Sequence, residues 1–204
     1  MPAFLTSEPV ILASASTSRR RMLEAAGVEV HAEAARVDEE EIKLSGKAAG
    51  MKPPEVAEAL ADLKASKLAR KYTGPYVVGG DQMLECDGRW FDKPLDRADA
   101  ANHLRLLSGR THTLYSAVVV FHNGARVWHH IDHATLPMRA LADAFIERYL
   151  DAAGDAVLSC AGSYQVEGLG AQLFNKVKGD HFTIQGLPLL PLLDFLRVRR
   201  VLPA

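Results

Sequence analysis

Apolar positions along this chain recur with a period that switches between that of a strand and that of a helix, so the two element types are expected in alternation. Residues 9–13 form an apolar run of strand length. A helix follows over 17–26 and stops at Gly27, and 28–34 alternates through Val28, Val30 and Ala32 as a second strand. The charged, glycine-containing stretch 36–52 is expected to be a loop. Pro53 and Pro54 open a long helix whose Val56, Leu60, Leu63 and Leu68 make one apolar stripe, closing near Gly74-Pro75. Tyr76 to Gly79 is expected as a short buried strand, and Cys86-Asp87-Gly88 as a hairpin turn, because Asp-Gly tolerates positive φ.

Further along, Asp96 caps a helix with Ala100, Leu104 and Leu107 facing inward and Gly109 as terminator. Strands over 113–121 and 126–133 flank an Asn123-Gly124 turn, a strong hairpin signal. A helix over 140–152, a glycine-rich stretch from Gly162 to Gly170, a short strand pair around Lys176 to Thr183 and an apolar helix from Pro188 to Val198 complete the chain. The mixed order predicts an α/β fold with a mixed sheet, as one domain over 1–204 or as two lobes around a cleft.

Composition narrows the partners. With 24 Lys and Arg against 25 Asp and Glu, the net charge of −1 argues against a nucleic-acid binder working by general electrostatic attraction. Cys86 and Cys160 lie far apart without Cys-x-x-Cys spacing, which signals neither a zinc site nor a disulfide framework. No stretch approaches a membrane span or a secretory leader, so a cytoplasmic protein away from membranes is expected.

Residues 11–23 carry the most suggestive chemistry: an apolar strand runs into a hydroxyl-dense turn and then a basic helix. Ser14, Ser16, Thr17 and Ser18 can donate hydroxyl hydrogen bonds, and the helix aims unpaired N–H groups at the same place. Arg19, Arg20 and Arg21 add forked cations suited to phosphate oxygens. The same residues also suit an ordinary serine-capped helix with a solvated basic turn. Asp81, following Val77-Val78-Gly79-Gly80, is expected just past a buried strand, at a sheet end where α/β proteins place active sites. A plain turn would look alike. Lys93, beside Pro94, could face phosphates, or be solvated surface. His129, His130, Asp132 and His133 suggest a metal cluster, but a strand would point His129 and His133 one way and His130 and Asp132 the other.

Several stretches resemble one known family in order and spacing. These are Leu-Ala-Ser-Ala-Ser-x-x-Arg-Arg at 12–20, Asp38-Glu39, Lys64-Ala65, Gly80-Asp81-Gln82, Lys93-Pro94, Leu107-Ser108-Gly109 with His112, Ala161-Gly162 to Gly168, and Gly186-Leu187-Pro188-Leu189. Over nearly its whole length the chain resembles the Maf proteins. The resemblance implies an elongated Maf/ITPase-like α/β fold with a central cleft, and divalent-cation-dependent hydrolysis of a nucleoside triphosphate to the monophosphate and pyrophosphate. It implies Asp81 as acceptor of the proton from water, and Ser14, Ser16, Arg19, Lys64 and Lys93 as substrate-binding residues. Glu39 and Asp81 are implied as carboxylates for Mg2+ or Mn2+.

The family divides into a branch acting on dTTP and UTP and a branch acting on 7-methyl-GTP. Asp81-Gln82 and Val166-Glu167-Gly168 resemble the second, and a carboxylate at Glu167 can accept both N1–H and N2–H₂ of guanine. Ser18, the third specificity position, departs from both branches, where arginine or an aromatic residue is usual. Thr17 and Asn175 likewise stand where proline and glutamate are common. A dTTP/UTP-type enzyme, and a nucleotide-binding regulator of cell division without turnover, are the alternative readings. A homodimer is among the open oligomeric states.

Overall fold

The computed structural model describes residues 5–204. β1 (Val10–Leu12) is the fully buried apolar run, and β2 (Val30–Ala32) and β3 (Val77–Cys86) both lie parallel to it, with Val10 opposite Val30 and Leu12 opposite Val78. Between β1 and β2 runs α1 (Thr17–Ala25), and α2 (Glu39–Ala48) and α3 (Pro53–Ala69) join β2 to β3. Asp87 and Gly88, at φ 51° and 80°, turn β3 into the antiparallel β4 (Arg89–Phe91), as the Asp-Gly pair predicts. Then come α4 (Arg97–Leu107), β5 (Thr111–His122), the Asn123-Gly124 turn, β6 (Ala125–Pro137) and α5 (Asp143–Ala153). Short 3₁₀ turns lead to α6 (His181–Ile184) and α7 (Leu189–Val198). The sheet order is β2-β1-β3-β5-β6, with β4 on β3, so the fold is α/β with a mixed six-stranded sheet.

The chain divides into two compact units. One comprises the residues up to Gln82, then 115–132 and 181–204; the other comprises 83–114 and 133–180. In the first, Val10, Leu12, Leu23, Val78, Val118 and Val120 pack with Leu192, Phe195 and Leu196 of α7 in one core. In the second, α4 and α5 pack together, and their Leu104, Leu107, Ile146 and Leu150 are all buried. Among the described residues no helix is long and apolar enough to cross a membrane.

Four expectations are corrected. The stretch 36–52 contains α2, begun by Asp38, whose Oδ1 accepts the Glu41 N–H at 3.0 Å. Its only buried residue is Gly46, so no apolar stripe announces it. In α3, Leu63 is exposed and Lys64 takes the buried position. β3 continues to Cys86, which puts Asp81 inside a strand; β1, however, pairs with β3 only as far as Val78. Around Lys178 there is a single antiparallel bridge to Thr135 and no strand pair, and the chain then coils into α6.

Candidate active site

Along β3 the side chains alternate, so Val77, Gly79 and Asp81 share one face and Val78, Gly80 and Gln82 the other. Gly79 lets the backbone of α3 press against the strand: a Cβ there would overlap the Ala61 carbonyl oxygen and lie 2.9 Å from the Ala65 nitrogen. Lys64 sits on the same helical face as those two residues and is delivered to Asp81 by this approach. Its Nζ lies 2.5 Å from Asp81 Oδ1 and 2.6 Å from Glu39 Oε1, at the first turn of α2. Lys64 is 8% and Asp81 5% exposed, so the pair is buried and each charge needs its partner.

Gly80 admits Arg19 in the same way on the opposite face, where a Cβ would meet Arg19 Cδ and Nε at 3.3 Å. Arg19 Nε donates to the Gly186 carbonyl at 2.7 Å and Nη1 to Ser14 Oγ at 3.2 Å. Burial pulls the Arg19 pKa down, against which the negative charges of Asp81 and Glu39 push it up; a guanidinium remains a cation throughout. Ser14 Oγ also accepts the Ser16 N–H at 3.2 Å, and Ser16 Oγ caps α1 by accepting the Arg19 N–H at 3.3 Å. The serines thus shape the turn that aims Arg19.

The first unit therefore gathers Ser14, Ser16, Arg19, Glu39, Lys64 and Asp81, from β1, α1, α2, α3 and β3. Ser18 lies half-buried on α1. Gln82 lies on the face of β3 opposite Asp81. Its amide is turned away from Asp81, and Nε2 lies 2.9 Å from Ser116 Oγ and 3.1 Å from the carbonyls of both Thr183 and Ile184. Sequence reading also missed Ser116 and Thr183, although a lone serine before the apolar run 117–121 of β5 was a usable signal.

Lys93 and Glu167 belong to the second unit and are both exposed. Glu167 sits on the glycine-rich segment, which is tied down by buried polar bonds: Tyr164 Oη lies 2.7 Å from His112 Nε2, and Tyr149 Oη donates to the Ser163 carbonyl at 3.1 Å. Burial pushes the His112 pKa down to about 4 and the Tyr164 pKa well above the ordinary tyrosine value, so a neutral imidazole and a neutral phenol share this hydrogen bond. Gly162, at φ 77°, has no room for a Cβ, which would meet Leu84 Cδ1 at 2.7 Å.

Among the described residues no group of three or more His, Cys, Asp or Glu side chains could hold a metal ion. His129 faces Glu58 at 3.6 Å and Asp132 accepts from Thr183 Oγ1 at 2.9 Å, so the histidine-rich strand forms no such cluster. A cation could be met by Asp81 and Glu39, two hard carboxylates that converge on one point, now taken by Lys64 Nζ. Chemically, then, the site offers a carboxylate base, two cations and an anion-directed helix N-terminus.

The comparisons with known proteins agree in kind. The family described as Maf-like protein matches residues 9–199. A nucleoside triphosphate pyrophosphatase of Paramagnetospirillum magneticum is 53% identical over 187 residues, covering 92% of this chain and 96% of the relative. A 7-methyl-GTP pyrophosphatase of Rhizobium etli is 48% identical over 188 residues, covering 92% and 94%. Among solved structures, a nucleoside-triphosphatase (dITP/XTP pyrophosphatase) of Mycobacterium abscessus is similar with a TM-score of 0.42 and 17% identity, covering 95% of this chain and 94% of that one. With the family pattern matched over nearly the entire chain and such relatives beside it, this protein belongs to the Maf family.

Proposed function

We propose that the protein is a nucleoside triphosphate pyrophosphatase, cleaving the α–β anhydride of a nucleotide to leave the monophosphate and pyrophosphate. The observation that carries this is the convergence of Lys64 Nζ on Asp81 and Glu39, next to an Arg19 seated by Ser14 and Gly186. Relatives named as nucleoside triphosphate pyrophosphatases support it. Asp81 takes the proton from the attacking water. Arg19 and Lys64 neutralise the phosphate chain, which raises its affinity and stabilises the charge leaving with pyrophosphate. Asp81 and Glu39 would hold Mg2+ or Mn2+, consistent with the habit of Mg2+ of taking one or two carboxylates and completing its shell with substrate phosphates and water. Bound there, the ion supplies charge neutralisation and a more acidic water.

For the base, the resemblance of Val166-Glu167-Gly168 to the 7-methyl-GTP branch and the naming of the Rhizobium etli relative both support 7-methyl-GTP. Ser18 offers no ring to stack on a methylated, cationic base, so discrimination against plain GTP is expected to be modest. The test is product analysis with 7-methyl-GTP, GTP, UTP and dTTP in the presence of Mg2+ or Mn2+. Pyrophosphate should be the first product, with the two guanine nucleotides preferred. Orthophosphate as first product, or no turnover on any of the four, overturns the hydrolase reading; a preference for UTP and dTTP overturns only the base.

A further inference from the structure

Segment 33–38, between β2 and α2, forms neither helix nor strand, yet it delivers Glu39 to the first turn of α2. Lysines are ranged along it. Lys64 and Lys67 lie three apart on one face of α3, and Lys71 follows four residues on, in the turn that ends the helix. Their partners on the segment are also three apart and run in the opposite order. Lys64 Nζ meets Glu39 Oε1 at 2.6 Å, Lys67 Nζ donates to the Arg36 carbonyl, and Lys71 Nζ donates to the two Glu33 carboxylate oxygens at 2.9 and 2.7 Å. Tyr72 Oη adds a further bond to Glu33 at 2.6 Å. These hydrogen bonds, that from Lys71 foremost, hold the Glu33 carboxyl below the usual carboxylate pKa, so it is charged at neutral pH. The Glu33 N–H donates to the Leu12 carbonyl at 3.0 Å, which ties this end of the segment to the sheet.

Lys64 is buried and shared with Asp81, whereas Lys67 and Lys71 are exposed. A divalent ion between Asp81 and Glu39 would take the place of Lys64 Nζ, so the Lys64 tie is the one given up when the site is loaded. The ties to Arg36 and Glu33 remain. We propose that Lys67 and Lys71 are positioning residues for Glu39: they moor residues 33–36 to α3 and so keep the Glu39 carboxylate facing Asp81 once Lys64 is released. This rests on the reading of Asp81 and Glu39 as carboxylates for Mg2+ or Mn2+, and deepens it. A single exposed pair contributes little, so the mooring belongs to the two lysines jointly. Coulomb's law gives the test its sign. An ammonium near the site repels a cation, so its removal would strengthen metal binding if charge were its whole effect. Loss of a mooring weakens it.

Mn2+ is the probe, with the free ion counted from its EPR signal. Titrations cover the parent, Lys67→Met, Lys71→Met and the double variant, each also in a Glu39→Gln background. The double variant should bind Mn2+ about tenfold more weakly, the low end of the range for groups that orient metal-binding side chains. Replacing both lysines by arginine keeps long cationic donors and should restore the parental affinity. In the Glu39→Gln background the methionines should change nothing. Tighter binding by the double variant overturns the proposal, and so does an equal loss with and without Glu39. Unchanged affinity also overturns it, while the carboxylate reading survives if Glu39→Gln alone weakens Mn2+ binding. A parent that does not bind Mn2+, or a Glu39→Gln variant that binds it as the parent does, removes the carboxylate reading and this proposal together. The hydrolase reading, judged by pyrophosphate release, then still stands. Both lysines are exposed, so the core is untouched by their replacement; should the double variant nevertheless not fold, the single variants decide by the same criteria. Loss of the fold in all three would assign the lysines to stability and overturn the positioning role.

Discussion

One ammonium serving two carboxylates makes the Lys64 position sensitive to either partner. Asp81→Asn keeps an oxygen that can accept from Lys64 Nζ but removes the proposed base, so nucleotide affinity should survive while turnover falls by at least about 10²-fold. Single-turnover rates with separately measured nucleotide affinity check this; a near-parental rate would remove Asp81 from the chemistry. Asp81 stood out in the sequence as a carboxylate beside a buried strand and Arg19 as a forked cation after a hydroxyl-dense turn, whereas Lys64 was pointed to only by the family resemblance. The partners of Gln82 were not, since Ser116 and Thr183 are 34 and 101 residues away in the chain and only the folded sheet brings them to it.

Among the elements, the contact between α3 and β3 governs the site. Gly79→Ala places a methyl group against the Ala61 carbonyl, which must push the helix outward and lengthen the Lys64 to Asp81 approach. Stability should fall by about 1–3 kcal/mol, the usual range for overpacking, with a larger proportional loss of activity than of folded protein. Urea midpoints alongside kcat/KM test this, and an unchanged midpoint would show that the helix has slack. The long helix was legible from its proline start and apolar stripe. α2 was obscured because Leu44 is exposed and Gly46 is its only buried residue, although Asp38 followed by three glutamates was a start signal. The length of β3 was hidden by the paired glycines, which look like a turn in sequence yet mark where α3 and Arg19 come close to the strand.

For the whole molecule, pH is the informative variable. The His112 pKa falls from its ordinary 6.5 to about 4 on folding, and burial lowers that of His103 too. The unfolded chain therefore binds more protons between these values, so stability is complete above about pH 6.5 and declines as the pH falls toward about 4, by roughly 3 kcal/mol for His112. His112→Gln, which cannot become charged, should flatten that decline in urea midpoints taken from pH 7.5 to 4.5; an unaltered slope would place the acid sensitivity elsewhere. Division into two units could be anticipated only loosely, because neither is a continuous stretch of chain: the polypeptide passes from one to the other after Gln82, Leu114, Asp132 and Asp180. During synthesis, then, a ribosome has already released Asp81 and Lys64 long before Gly186, which seats Arg19, emerges with the helix that fills the first core. A nascent chain can thus bring Asp81 and Lys64 together before Arg19 has its carbonyl partner, so this part of the proposed site is completed only once Gly186 has been made.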